Sequence, residues 1–132
     1  MKFIDVIRVD PGARAAEGSL FVDPGDDYLR DHFPGAPMLP GLLMLEAAVR
    51  TAAALWAAAG APPVAAAVLE QVDRLQIVRS VVPGKTLSVH VAFDGDPRPE
   101  HTARFTARGA VDGETVVRAT FRLHAITQEV SR

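Results

Sequence analysis

The segment DHFPGAPMLPGLLMLEAAVR, residues 31 to 50, holds one histidine in a loop stiffened by three prolines and two glycines. An apolar run with a single glutamate follows at once. His32 and Glu46 are the two acid/base candidates in this stretch, fourteen residues apart. A histidine titrates near neutrality and serves as a base. A glutamate set among Leu42, Leu43, Leu45 and alanines is expected to hold its proton more tightly through desolvation, and so to serve as an acid. Between them, Pro40-Gly41 opens a helix whose first amides lack intrahelical partners and sit at its positive end. Glycine at 41 lets a substrate carbonyl approach that amide, which would stabilise an oxyanion. A base, a polarised carbonyl and an acid suit removal of a proton beside a carbonyl and expulsion of a β-hydroxyl, a dehydration. A plainer alternative stands beside it: His32 caps a loop, and Glu46 pairs with Arg50 at i, i+4 spacing for about 0.3–0.5 kcal/mol.

These groups need a frame. FIDVIRV at 3–9 and SLFV at 19–22 read as short strands separated by the PGAR turn signal. Asp23 to Pro40 reads as a long loop, with YLRDHF as one helical turn, and long ordered loops are often functional. Gly41 to Ala59 reads as one helix, apolar nearly all round and therefore wrapped by other elements. VAAAVLEQVDRLQIVRSV, KTLSVHVAF, ARFTARGAV and ETVVRATFRLHAI read as four further strands able to pair as an antiparallel meander. PG at 83–84, GDPRP at 95–99 and DG at 112–113 punctuate them. The expected fold is α+β of hot-dog type, a curved antiparallel sheet around one long helix, in a single domain spanning 1–132. One sheet edge and one helix flank would stay open, so pairing with a second copy is expected.

The bulk numbers exclude several classes. At 132 residues the chain is long enough for one core. A formal charge of −2 and a pI near 6.0 offer no basic field for nucleic acid. The chain has no cysteine, hence no disulfide, thiolate zinc site or cysteine nucleophile, which fits the cytoplasm. Asp5, Arg8 and Asp10 interrupt any signal-peptide pattern in the first residues. No charge occurs between Arg50 and Glu70, but Gly60, Pro62 and Pro63 break that run, and no membrane span is expected.

HFPGAPMLPGLLMLE resembles the signature of the β-hydroxyacyl-acyl carrier protein dehydratases of the FabZ/FabA type. A weaker likeness continues through DRLQIVRSVVPGKTLSV and VDGETVVRATFRL. The resemblance implies a hot-dog homodimer, often assembled further into a trimer of dimers, with His32 of one subunit and Glu46 of the other in each site. It implies that His32 removes the α-proton of a 3-hydroxyacyl thioester, that Glu46 protonates the departing hydroxyl, and that the Gly41 amide holds the carbonyl. The backbone carbonyl of Met38 matches the family position that orients the histidine ring. The substrate would ride on acyl carrier protein or coenzyme A, and the reaction implied needs neither cofactor nor metal.

One departure is visible: where the family commonly carries glutamine four residues after the acid, Arg50 stands. A cation one turn from Glu46 favours its ionised form and opposes a general-acid role, which makes Arg50 a candidate modulator of the site. Two alternatives follow, an acyl thioesterase on the same fold and a non-catalytic acyl-binding partner subunit. PGKT at 83–86 lacks the glycine of a phosphate loop at position 79, where Arg79 stands, and reads as a turn. His90, His101 and His124 fall on different strands without metal-ligand spacing. Trp56 and the helix leucines read as core. Arg74, Arg79 and Lys85 are candidates to meet an acidic carrier protein.

Overall fold

The computed structural model describes residues 6–10, 12, 14–23, 25, 41–59, 66–95 and 101–126. Among the described residues the strands are β1 (Val6–Asp10), β2 (Ala15–Phe21), β3 (Ala66–Ile77), β4 (Thr86–Phe93), β5 (Thr102–Val111) and β6 (Glu114–Ile126), and the helix is α1 (Gly41–Ala58). All six strands form one antiparallel sheet in the order β1-β2-β4-β5-β6-β3. The helix packs on one face of it, the α+β arrangement expected from the sequence.

Alternation builds the core. On β4 and β5, Val89, Val91, Ala103 and Phe105 turn inward and are buried, while His90, Arg104, Thr106 and Arg108 turn to solvent. Phe105 is the centre of an aromatic cluster: it stacks on Phe93 and Phe121 at 5.1 and 5.8 Å and meets Trp56 edge-on at 6.3 Å. Burying each such ring contributes roughly 1.5–3 kcal/mol. From α1, Met44, Leu45, Ala48, Ala52 and Leu55 face this layer. By length and composition α1 could cross a membrane, yet half of that span is buried inside the protein.

Two expectations need correction. The last four strands do not pair in chain order, because β4 inserts between β2 and β5 while β3 lies at the far edge beside β6. The 78–85 connection is too long for a tight hairpin, and it runs past the β5–β6 turn instead. There the amides of Val78 and Arg79 donate to the Val116 carbonyl at 2.7 and 3.3 Å, and Gly84 donates to the Val22 carbonyl at 2.8 Å. The turn at Gly84 needs its glycine, since φ is +89°. The second correction concerns β2, which starts at Ala15 rather than Ser19. Alanine and glycine at 15, 16 and 18 carry little strand propensity, and packing decides the matter. Gly18 faces the helix, where the Thr51 hydroxyl fills the space a Cβ would need.

β3 reconciles an apolar spacing of three with a strand. Leu69, Val72, Leu75 and Ile77 lie opposite Leu123, Phe121, Ala119 and Val117, all inward-facing positions of β6. Register shifts between Leu69 and Gln71 and between Val72 and Arg74 each absorb one extra residue. The result is an apolar row on the helix side of the sheet that remains 38–44% exposed at the edge. The β5–β6 turn uses two residues at positive φ, Asp112 (52°) and Gly113 (82°), as a two-residue hairpin requires.

Candidate active site

α1 begins at Gly41, so its first amides have no carbonyl within the helix to accept them. A Cβ on Gly41 would stand 3.2 Å from Cδ1 of Ile77, at the end of β3. Glycine therefore keeps the helix start narrow beside Ile77. Glu46 follows five residues on, about 7–8 Å along the axis.

Leu42, Glu46 and Arg50 recur every four residues and share the helix flank that the sheet leaves open. Leu42 is 75% exposed, and the side chains of Glu46 and Arg50 are 47% and 56% exposed. The apolar enclosure expected around Glu46 is thus incomplete within one protomer. Leu45, adjacent in sequence, points to the core instead, because neighbours on a helix diverge by about 100°. The Arg50 Nε donates to Glu46 Oε1 at 3.2 Å, the i, i+4 pair read from the sequence as the plainer alternative. The carboxylate is held against a cation rather than set in a desolvated pocket.

His32 and Met38 lie outside the described residues. Among the sequence-derived candidates, the structure brings Gly41, Glu46 and Arg50 onto one helix, with Ile77 packed beside its first residue. Sequence reasoning gave no sign of the packing of Ile77 against Gly41, which depends on the β3 register and on no local signal.

The remaining candidates take ordinary places. Lys85 pairs with Asp112 at 3.1 Å and Arg79 with Glu114. His90 is exposed on β4 with its Nδ1 3.6 Å from Glu17. The rings of His101 and His124 are 6.3 Å apart, with His101 just ahead of β5 rather than on it. Among the described residues, no group of three or more histidines and carboxylates could hold a metal ion.

Residues 1–120 match the family model of the FabA-like domain. The 3-hydroxyacyl-[acyl-carrier-protein] dehydratase FabZ of Acidiphilium cryptum is 33% identical over 118 residues, 88% of this chain and 70% of that protein. The enzyme of the same name from Roseiflexus castenholzii is 30% identical over 121 residues, 90% of this chain and 82% of its own length. The dehydratase heterocomplex ApeI:P from Xenorhabdus doucetiae superposes with a TM-score of 0.69 at 24% identity, covering 94% of this chain and 99% of that one, a likeness of fold. With an open-flanked helix on a six-stranded antiparallel sheet and a family match running through nearly all of it, the chain belongs to the FabA-like, hot-dog dehydratase family.

Proposed function

We propose that this protein dehydrates 3-hydroxyacyl thioesters carried on acyl carrier protein to trans-2-enoyl thioesters, in fatty acid or related acyl-chain synthesis. The observation that carries the reading is a carboxylate, Glu46, presented on the open flank of a helix whose first residue is Gly41, in a chain with FabZ relatives across most of its length. His32 takes the proton from C2 and the electron pair flows toward the thioester carbonyl, whose oxygen accepts from the Gly41 amide. The C3–O bond then breaks as Glu46 delivers a proton to the hydroxyl, which leaves as water, and the C2–C3 double bond closes. The Met38 carbonyl orients the imidazole of His32. No cofactor takes part.

The exposed apolar row of β3 and the open flank of α1 support a homodimer, able to serve as the unit of a trimer of dimers, in which a second copy covers Glu46 and supplies His32. The chain acts as one domain, 1–132, in the cytoplasm. Coenzyme A thioesters present the same arm and are the second substrate class to assay.

One observation favours another reading. The Glu46–Arg50 pair would silence the acid in a non-catalytic, acyl-binding partner subunit. Formation of the conjugated enoyl thioester from 3-hydroxyacyl thioesters, followed by ultraviolet absorbance, decides between them. Turnover establishes the dehydratase, and acyl binding without turnover establishes the silent subunit. Release of free thiol without enoyl product would replace both with a thioesterase.

A further inference from the structure

The outer face of the sheet carries two arginine pairs of identical construction. On β5 and β6, Arg104 stands directly opposite Arg122, and Arg108 directly opposite Arg118. Like charges opposite one another on adjacent strands destabilise a sheet unless something neutralises them. For the first pair the fold supplies that neutralisation. Asp73 lies 3.5 Å from Arg104 and 3.4 Å from Arg122, and Asp94 lies 3.1 Å from Arg104. For the second pair it does not, because among the described residues no carboxylate lies within ion-pair distance of Arg108 or Arg118.

Arg108 is also aimed. Its Nε donates to the Thr115 hydroxyl at 2.6 Å and its Nη2 to the Gly113 carbonyl at 3.1 Å, which brace the guanidinium against the β5–β6 turn. Beside the pair lies a groove of about 280 Å³ whose floor is small, with Ala15, Ala92 and Thr106, and whose wall is His90 together with the two arginines. His90 stands opposite Arg108 on β4. Opposite His90 on β2, Glu17 already faces both Arg8 at 3.8 Å and His90 at 3.6 Å. On the other side Gln76, an uncharged residue, stands opposite Arg118 and accepts from Arg74 at 3.0 Å.

We infer that the Arg108–Arg118 pair, with His90 and Thr106, is a binding site for a phosphoryl dianion on the sheet face opposite the helix. Facing residues on neighbouring strands are about 5 Å apart at Cα, close enough for the Arg118 fork and the remaining Nη hydrogens of Arg108 to meet one tetrahedral anion. The compact pair over a floor of alanines suits a single phosphoryl group better than an extended acidic segment, whose charges would need cations spread along a strand. The site is separate from Glu46 and Gly41 and stands whether or not the dehydratase reading does.

Calorimetric titration of the intact protein with inorganic phosphate, in a buffer free of other polyvalent anions, tests it. The wild type is expected to take up one phosphate per chain saturably, and phosphate is expected to raise its Tm. Arg118→Gln should weaken binding by roughly tenfold or more, about 1.4 kcal/mol, and lose the Tm response. Arg79→Gln, the same charge change at a pair on the far side of the turn, should leave both unchanged. Absence of saturable binding by the wild type would overturn the inference. So would equal weakening by Arg79→Gln, or tighter binding of a polyglutamate peptide than of phosphate. Arg108→Gln is a second variant should Arg118→Gln fail to fold, with the same loss expected.

Discussion

Glu46 and Arg50 face each other across one turn of α1, with the guanidinium Nε 3.2 Å from the carboxylate oxygen and both side chains about half exposed. A pair of this exposure contributes only about 0.3–0.5 kcal/mol. A carboxylate that transfers a proton to a departing hydroxyl must also be free to leave that contact. Arg50→Gln is therefore expected to raise kcat for dehydration, by no more than about twofold given that magnitude. Steady-state enoyl formation measures it. A gain of orders of magnitude would instead mark the wild type as a silenced subunit, and a fall would show that Arg50 positions the carboxylate.

His32→Ala and Glu46→Gln should each lower kcat by about 10²-fold or more, the ordinary scale for losing a positioned base or acid. Both variants should keep the wild-type circular dichroism spectrum, since Glu46 lies on the open helix flank and lends no apolar surface to the core. Loss in only one of them would break the paired acid/base assignment.

Mixing the two inactive variants tests whether each site draws on two subunits. A heterodimer would hold one site with both defects and one with none. After exchange of subunits, activity should return to roughly a quarter of the wild-type level, because half the dimers are mixed and each has one intact site. No recovery after demonstrated exchange would mean that each site draws His32 and Glu46 from one subunit.

The exposed apolar row of β3 gives the association its own test. Leu75→Glu puts a charge at a position 38% exposed in the protomer and opposite Ala119. Light scattering should show the proposed dimer shifting to monomer, with turnover falling in parallel. An unchanged dimer would move the interface elsewhere.

Gly18 and Thr51 form a close contact between β2 and α1. The Thr51 hydroxyl, buried and donating to the Ala47 carbonyl at 2.9 Å, occupies the place of a Cβ at Gly18. Gly18→Ala should cost about 1–3 kcal/mol by overpacking. Thr51→Ala on its own loses one hydrogen bond, about 1 kcal/mol. Because the second change removes the atom the first collides with, the double variant should be more stable than the sum of the two predicts, as a denaturant titration would show.

Much of this protein was legible in the chain alone. The helix from Gly41 was marked by a glycine after a proline-rich loop and by a run of mostly apolar residues, and the later strands by alternation between PG, GDPRP and DG. Local chemistry sufficed there, because turn residues and side-chain period act over a few positions. The acid candidate and its i, i+4 cation were likewise readable, since helical spacing fixes which residues meet.

What only the tertiary structure decided depended on which strands came together. β3 lies at the edge beside β6, two bulges turn Leu69, Val72, Leu75 and Ile77 to one face, and Ile77 meets Gly41, far from it along the chain. The exposure of Glu46 was set by where the sheet stops covering the helix, which the apolar neighbours in sequence did not reveal. The contrast between Arg104–Arg122 and Arg108–Arg118 follows from the same cause. Register placed the arginines opposite one another, but only the path of β3 brought Asp73 to one pair and left the other without a carboxylate. Local propensity acts along the chain, whereas charge compensation and burial act through space, and pairing order alone connects the two.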